Sequence, residues 1–490
     1  MTATTDSATA HAWAALGGAP GLIGRVSYEG AHGVLPARLP VRELARATVG
    51  ACSLAAAELL ARRRSGPVPA VRVHEAAVAT AFVSERHLRV DGRVPRSFAP
   101  LSGFWPAADG WIRTHANYPH HRSRLLEALG IPDSGDDRAL AGRLADELAG
   151  RPAYEVQETV YTAGGLAVAV GSVPLDTGLL LDTGLSPAAG TLRGSRLPQD
   201  TALLPDTGPP QEIGLPLVES RPAGSPLPGP LPAADLPAAG VRVIDLTRVI
   251  AGPVATRTLA LLGADVLRVD PPALREDADA HADTGMGKRS ALLDLTAPGD
   301  RRVFDGLLGS ADVVLTGYRP GALDRLGLAP DELSSRRPGL IVGQLSAWGR
   351  SAGPWASRRG FDSLVQAASG IASAESGDDG RPGALPAQAL DHGTGYLLAA
   401  AVLRALSDRQ DTGRGRHLRL SLAGTASWLL RGVRPAPLEG PAYTPEPWLT
   451  RTPSPYGVLD HALPPLDYEG APRTWARPPT RWGGDRPVWL

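Results

Sequence analysis

One acid stands alone at the start of an apolar, helix-like stretch. Residues 386–406 read PAQALDHGTGYLLAAAVLRAL, and Asp391 is the only acid among them. The five residues before it carry no charge, and glycines at positions 393 and 395 follow closely. A poorly solvated carboxylate can attack a carbonyl carbon and form a covalent intermediate, and small neighbours leave room for a bulky reactant. Asp391 is therefore a candidate nucleophile.

A helix cap is the competing interpretation of Asp391. Asp is a preferred N-cap residue, and such a cap contributes about 1 kcal/mol to stability. The two roles are compatible, because a helix N-terminus would also keep the carboxylate of Asp391 ionised. On these residues alone the cap is favoured. We interpret the adjacent His392 as a partly exposed neighbour rather than a proton carrier.

The chain before Asp391 carries the pattern of a parallel α/β sheet. From Gly240 onward, apolar strand-like runs alternate with helix-like runs. The strand-like runs are GVRVIDLTRVI, DVLRVDPP, ADVVLTGYRP and GLIVGQLSAWG. Ligands of such sheets bind at the carboxyl ends of the strands, so we expect a site there.

The N-terminal part contains an echo of the helix that follows Asp391. Residues 53–79 and 396–426 both read as an Ala/Leu-rich helix, a basic loop and an arginine-containing strand. We interpret the echo as a duplication. Aligning the two Leu-Ala-Ala-Ala runs places Ala47 opposite Asp391, so in that alignment the first copy lacks the acid.

Composition restricts the partners and the compartment. Lys plus Arg and Asp plus Glu number 50 each, which argues against nucleic acid or an anionic membrane as a partner. The single Cys52 allows no internal disulfide and fits a reducing compartment. Neither a membrane span nor a signal peptide is indicated, so we expect a cytoplasmic protein.

The histidines of HANYPHH (115–121) lack the spacing of a standard metal site, and we expect polar loop residues and no metal there.

The run from Gly240 to about Leu430 resembles the class III CoA-transferase family, which includes formyl-CoA and carnitine CoA-transferases and α-methylacyl-CoA racemases. Any one matching segment is weak evidence for the family, but together the segments keep the order and spacing of the family. Residues 102–130 are similar to the small domain of the same family, which normally follows the large domain and here precedes it. The matching segments of the large domain are GVRVIDLTRVIAGPVATRTLALLGADVLRVD, GKRSALLDL, ADVVLTGYRPGALDRLGL, LIVGQLSAWGRSAGP, GFDSLVQAASG, LDHGTG and TGRGRHLRLSL.

The resemblance implies an α/β fold with an open parallel Rossmann-like sheet, a smaller α+β domain and a partial tandem-like arrangement. It also implies a homodimer, although the echo raises the alternative that one chain mimics part of a dimer. The regions that we predict are a loosely ordered N-terminus (1–38), a small-domain-like and degenerate repeat region (39–184), a Pro/Gly-rich linker (185–237), the large domain (238–432) and a C-terminal closing segment (433–490).

The resemblance further implies transfer of CoA between an acyl-CoA and a carboxylic acid, with coenzyme A as a substrate moiety and no permanently bound cofactor. Asp391 aligns with the catalytic aspartate of the family, and with the resemblance the nucleophile becomes the favoured role. Because CoA carries phosphates, cations and helix N-termini should gather along its path. The resemblance and this requirement select the residues Arg248, Ile250, Ala251, Lys288, Arg289, Arg325 and Arg359, with Arg319 as a further candidate.

Two alternatives stay open. In the racemases of the family a histidine shares proton abstraction with the aspartate, and here Phe361 stands in its position, which disfavours a racemase or epimerase. Asp362, the next residue, either faces the site or is a surface or capping acid. The other alternative is a degenerate, non-catalytic CoA-binding protein.

Overall fold

The computed structural model describes residues 6–95, 98–171, 215–226, 229–350, 352–437 and 439–490. The linker prediction at 185–214 and the end of the small-domain prediction at 172–184 therefore lie outside the described residues. The elements before the gap at 172–214 are α1 (Ser7–Ala15), a 3-10 helix (Pro20–Arg25), β1 (Val26–Glu29), α2 (Val41–Arg64), β2 (Val71–His74), α3 (Glu75–Phe82), α4 (Ser84–His87), β3 (Arg89–Val90), β4 (Phe104–Ala107), β5 (Gly110–Thr114), α5 (Pro119–Ala128), α6 (Asp137–Ala149), α7 (Ala153–Thr162) and β6 (Ala167–Ala169).

The first of these elements join the main core instead of forming a loose terminus. Asp6 caps α1, because its carboxylate accepts a hydrogen bond from the backbone N–H of Thr9 at 3.0 Å. Strand β1 pairs in parallel with β2, and Trp13 is buried against α2 and its neighbours. The prediction of a loosely ordered segment at 1–38 is wrong for residues 6–38. The capping bond of α1, the pairing of β1 with β2 and the burial of Trp13 hold this stretch against the core.

The small α+β unit is narrower than the sequence predicts. Strands β4, β5 and β6 form an antiparallel sheet on which α5, α6 and α7 pack around a separate apolar cluster. Leu125, Leu140 and Val156 lie in that cluster. Helix α2, by contrast, belongs to the main core. The predicted region 39–184 thus divides between two cores.

The second part of the chain supplies the large sheet and its helices. Its elements are β7 (Glu219–Ala223), β8 (Arg242–Leu246), α8 (Ala251–Leu261), β9 (Asp265–Asp270), α9 (Ala278–Thr284), β10 (Arg289–Leu292), α10 (Pro298–Leu308), β11 (Val313–Thr316), a 3-10 helix (Asp324–Leu326), α11 (Pro330–Arg336), β12 (Ile341–Ser346), a 3-10 helix (Gly353–Ser357), α12 (Asp362–Ala368), α13 (Ile371–Ala374), α14 (Ala389–Thr412), β13 (Gly415–Ser421), α15 (Leu422–Arg431), a 3-10 helix (Glu446–Trp448), β14 (Leu449–Ser454) and β15 (Gly457–Ala462).

The large sheet is mixed, not purely parallel. Its seven strands lie in the order β10-β9-β8-β11-β12-β13-β7. The first six pair in parallel, as the apolar runs indicate, and β7 pairs antiparallel with β13. Strand β7 lies inside the predicted linker 185–237, so the interpretation of that whole stretch as irregular is wrong. Its short, polar sequence fits an edge strand, which needs few apolar side chains.

Helix α14 occupies the centre of the main core. It packs beside α2 and against α8, and nearly all of its side chains are buried. Helix α2 has the length and apolar composition of a membrane span, but that stretch is entirely buried inside the protein, as in a core helix. The closing segment after residue 433 forms the hairpin β14–β15, which pairs with β3, and its last residues cover the β10 edge of the large sheet.

Candidate functional site

Asp391 lies in the first turn of α14 and does not cap it. The helix begins at Ala389, and the N-cap residue Gln388 makes no side-chain capping bond. The cap comes from another element, because Asp362 Oδ2 accepts a hydrogen bond from the backbone N–H of Asp391 at 2.9 Å. The N–H of Leu390 also stabilises the Asp362 carboxylate. The interpretation of Asp391 as an N-cap is therefore wrong, and its side chain is left available.

The carboxylate of Asp391 is buried without a partner. Only 6% of the residue is exposed, and no hydrogen-bond donor or cation contacts its side-chain oxygens within the described part of the chain. Burial raises the pKa of Asp391 well above its usual value, and the charges of Asp362 and Glu85 add to the shift. The sequence suggested that the helix N-terminus would favour the ionised form of Asp391, but burial outweighs that effect and raises the pKa.

Asp362 is a buried capping acid next to the site. Burial raises its pKa to about 6, although its bonds to the N–H groups of Asp391 and Leu390 and to Gln366 favour the ionised form. Two carboxyl groups thus lie close together in a region of low dielectric, and each disfavours ionisation of the other.

A third acid comes from the N-terminal part of the chain. Glu85, in α4, lies with Oε2 3.3 Å from Nε2 of the buried His392. Burial opposes ionisation of Glu85, but the bond to His392 and the charge of that ring outweigh it, so its pKa is lowered. The His392 ring also stacks on Phe82 with centroids 5.4 Å apart. His392 is therefore fully buried and held by the N-terminal part, not a partly exposed neighbour.

The glycines beside Asp391 serve helix packing. A Cβ at Gly393 would lie 3.0 Å from Leu44 in α2, and a Cβ at Gly395 would lie 2.6 Å from the carbonyl oxygen of Ala251 in α8. Their absent side chains let three helices approach closely. The expectation that these glycines make room for a reactant is wrong.

Asp391 opens into a cavity of about 700 Å³ at the carboxyl edge of the large sheet. The ends of β8, β9, β11 and β12 contribute its floor, as expected for an open α/β sheet. Tyr118, His120 and His121 close it from the small α+β unit. The volume is within the usual range for small-molecule sites.

Five arginines line the cavity with Asp391: Arg248, Arg319, Arg325, Arg358 and Arg359. Arg319, Arg325 and Arg359 make no ion pair to any described residue, so their charges are available to a ligand. Burial and the neighbouring charges of Arg319 and Arg124 lower the pKa of Arg359, which indicates crowded cations. Arg248 is partly neutralised, with Asp270 at 3.5 Å and Glu276 at 3.6 Å.

The turn after β8 contributes only part of what the sequence predicts. Ala251 and Arg248 line the cavity, together with Val249, whose φ of 71° lies in the left-handed region. Ile250 instead packs on the main core as the residue before α8. Its side chain is not among those that face the cavity.

Lys288 and Arg289 do not reach the cavity. Lys288 is buried, with Nζ 3.1 Å from Asp245 and 2.8 Å from Thr256, and burial lowers its pKa to about 8. Arg289 donates to Asp265 at 2.8 Å and to the carbonyl oxygen of Val488 at 2.6 Å. Their prediction as CoA contacts is corrected, because both cations already have structural partners.

Aromatic rings form the wall beside Phe361. The rings of Phe361 and His115 stack with centroids 3.9 Å apart, and His121 lies edge-on at 5.7 Å. Burial lowers the pKa of both histidines to about 3, and nearby positive charges add to the effect, so both rings are neutral at neutral pH. The interpretation of HANYPHH as polar loop residues is wrong, since Tyr118, His120 and His121 belong to the cavity wall.

The small unit is tied to the large one beside the cavity. Arg358 donates to both carboxylate oxygens of Glu158, at 2.9 and 2.6 Å, and stacks over Tyr161 and Trp355. This bidentate pair fixes the small unit next to Arg359.

The sequence alignment of the two Ala/Leu helices is also corrected. Helices α2 and α14 have 24 residues each, and the third residue of α2 is Glu43. Matching the helix starts places Glu43, not Ala47, opposite Asp391. The first copy therefore keeps an acid in its first turn.

Comparison with known proteins covers the second part of the chain. The model of CoA-transferase family III matches residues 238–457. Over 190 residues the chain is 38% identical to the probable fatty acyl-CoA transferase Rv3272 of Mycobacterium tuberculosis, covering 36% of this chain and 48% of that protein. Over 203 residues it is 35% identical to the acetyl-CoA:oxalate CoA-transferase of Acetobacter aceti, covering 39% and 52%.

A crystal structure of the Rv3272 protein from Mycobacterium tuberculosis shares 35% identity, with a TM-score of 0.38, over 42% of this chain and 58% of that chain. The chain spans about half the length of the curated relatives it matches. The family match begins just before β8 and includes Asp362, Asp391 and the five cavity arginines. Residues 238–457 of this chain are thus similar to CoA-transferase family III.

Proposed function

We propose that this protein transfers CoA from an acyl-CoA to a carboxylic acid, with Asp391 as the covalent nucleophile. The single observation that carries the proposal is the carboxylate of Asp391, buried and without a partner, facing a large cavity lined by unpaired arginines. A buried carboxyl group without partners costs stability, so a chemical role explains why the fold retains it.

The proposed reaction consists of four balanced displacements. The Asp391 carboxylate attacks the thioester carbonyl, the C–S bond breaks, and CoA leaves as a thiolate, which leaves a mixed anhydride of Asp391 and the donor acyl group. The thiolate attacks the aspartyl carbonyl, which forms an aspartyl-CoA thioester and releases the donor acid. The acceptor carboxylate attacks that thioester and expels the thiolate again, which then takes the acceptor acyl group and restores the Asp391 carboxylate. No net proton is consumed.

The cavity offers separate regions for the two parts of an acyl-CoA. Arg248 follows β8 and Arg325 lies in the 3-10 helix after β11, and both suit the phosphates of CoA. Arg319 and Arg359 also line a recess together with Tyr161 of the small unit. Phe361, Tyr118 and His121 provide a ring-lined wall for the acyl or acceptor group. We infer that binding of the polyanionic CoA offsets the repulsion among these cations.

A racemase or epimerase is the second candidate, because His121 shares the cavity with Asp391. Such an enzyme needs two groups that exchange a proton with the carbon next to the thioester carbonyl. Burial lowers the pKa of His121 to about 3, which makes its imidazole a weak base. The transferase is therefore the better supported function.

An exchange assay tests the proposal. Wild-type protein is incubated with an acyl-CoA panel and labelled free acids, and formation of the labelled acyl-CoA is measured. We expect exchange with at least one pair, its loss in Asp391→Ala, and nearly unchanged CoA affinity by calorimetry. Exchange of the α-hydrogen with deuterated water, without CoA transfer, would instead support the racemase. CoA binding with neither reaction would support a non-catalytic CoA-binding protein.

A further inference from the structure

Two long helices lie side by side in the core and share the same local order of elements. Helices α2 and α14 each have 24 residues. Each is followed by a strand that passes directly into a helix, β2 into α3 and β13 into α15. Both following strands pair in parallel with a neighbour, β2 with β1 and β13 with β12.

The two helices run parallel, so their first turns lie at the same end. Leu44 lies against Gly393 near the start of both helices. Glu58 forms a buried ion pair with Arg404 further along, and Arg62 pairs with Asp411 at 2.6 Å near the end. Corresponding positions of the two helices therefore lie side by side, as expected for two related units that pack against each other.

The first-turn acids of the two helices have opposite surroundings. Glu43 Oε1 accepts hydrogen bonds from Arg42 at 2.7 Å and from the backbone N–H of Ala436 at 2.9 Å. Arg42 is itself held by the carbonyl oxygen of Ala436. Asp391 accepts no such bond from the described residues and faces the cavity.

Helices α3 and α15, which follow the strands β2 and β13, show the same contrast between a paired and an open surrounding. The first residue of α3 is Glu75, which pairs with Arg46 at 2.8 Å and with Arg42 at 3.5 Å. The first residue of α15 is Leu422, which lines the cavity. Buried ion pairs therefore surround the first copy of the site, and the second copy is open.

We propose that a single chain is the functional unit, with one active site at Asp391 and a closed, inactive counterpart at Glu43. This inference rests on the proposed function. The first unit takes the place of a second subunit beside α14, and the N-terminal part supplies Glu85 and the wall residues Tyr118 and His121 in cis. The Asp391 site is complete without a second copy of the chain.

Sedimentation velocity of the wild-type protein, combined with CoA titration and the exchange assay over the same dilution series, tests the inference. We expect the mass of one chain, one CoA bound per chain, and exchange per chain that does not change on dilution. A particle of two or more chains, or activity that falls as such a particle dissociates, would overturn the inference. Absence of both CoA binding and exchange at every concentration would defeat the proposed function, and the mass measurement would still decide the functional unit.

A pair of variants tests the closed site separately. Glu43→Gln removes the charge from the closed copy, and Asp391→Asn removes it from the open copy. We expect Glu43→Gln to lower thermal stability and to keep exchange per folded chain within about twofold of wild type, while Asp391→Asn abolishes exchange. Loss of exchange in folded Glu43→Gln protein, shown by an unchanged circular dichroism spectrum, would contradict a closed, inactive site.

Discussion

The carboxylate of Asp362 caps α14 by accepting the backbone N–H of Asp391 at 2.9 Å, so the helix start is satisfied by a neighbour. This leaves the side chain of Asp391 without a structural task. The same contact brings two carboxyl groups together. Burial raises the pKa of both, and the charge of Asp362 raises that of Asp391 further. The structural cap and the candidate nucleophile are therefore adjacent and electrostatically linked.

Asp362→Asn should move the acid limb of the pH–rate profile to lower pH. The negative charge of Asp362 raises the pKa of Asp391, so its removal lets Asp391 ionise at lower pH. The amide oxygen of Asn can still accept the capping N–H. The measurement is kcat/KM against pH for wild type and variant, and an acid limb that stays in place would contradict the linkage. Asp362→Ala, which also removes the cap, should cost about 1 kcal/mol of stability.

Glu85→Gln should shift the same limb in the same direction by a smaller amount. Glu85 contributes less than Asp362 to the raised pKa of Asp391. Glu58→Gln is a control, because Glu58 also pairs with a side chain of α14, Arg404, but lies further along the helices. The control should lower the unfolding temperature and leave the pH–rate profile unchanged. An equal shift in both variants would indicate a general loss of structure instead of a local charge effect.

Arg325→Ala and Arg359→Ala should each weaken acyl-CoA binding about tenfold, the equivalent of about 1.4 kcal/mol. Both guanidinium groups line the cavity without an ion-pair partner in the described structure. Arg289→Ala is the control, because that side chain is already paired with Asp265. It should reduce stability while the CoA affinity of the folded protein stays the same. Calorimetric titration with CoA distinguishes the two classes of arginine.

Asp391→Asn should stabilise the protein at alkaline pH. An acid whose pKa is higher in the folded than in the unfolded chain destabilises the folded state. The loss of stability is largest above the folded pKa and vanishes below the unfolded value of about 3.9. Burial and neighbouring carboxylates raise the folded pKa of Asp391, so each unit of that shift costs about 1.4 kcal/mol at high pH. Unfolding temperatures should differ most at pH 8 and converge near pH 4.

The opposite sign is expected for a carboxylate with a structural task. Asp312→Asn removes a partner of Arg409 at 2.9 Å, so this variant should lose stability at pH 8. If Asp391→Asn also lost stability at that pH, the carboxylate of Asp391 would have a structural partner after all.

The apolar strand runs and the family-like motifs predicted the sheet core, the carboxyl-edge site and the position of Asp391 near a helix start. Local periodicity carries that information, because parallel strands are buried on both faces. The sequence did not predict β7, since edge strands need no apolar run. It also mistook Lys288 for a ligand contact, because only tertiary structure shows that Asp245 already pairs with it.

The acids that lie near Asp391 were the least predictable part of the site. Asp362 lies 29 residues before it, and Glu85 lies 307 residues before His392. No local spacing rule joins positions so far apart. The likeness of residues 102–130 to a small domain was the one signal for that side of the cavity, but the sequence predicted only polar loop residues at 115–121.

Covalent capture of the acyl group tests the central claim most directly. The protein is incubated with an acyl-CoA and treated with hydroxylamine or borohydride, and its peptides are analysed by mass spectrometry. The account predicts a modification on Asp391 that depends on the acyl-CoA and is absent from Asp391→Asn protein. CoA transfer that proceeds in the wild-type protein with no modification of Asp391, or transfer retained in Asp391→Asn, would contradict it.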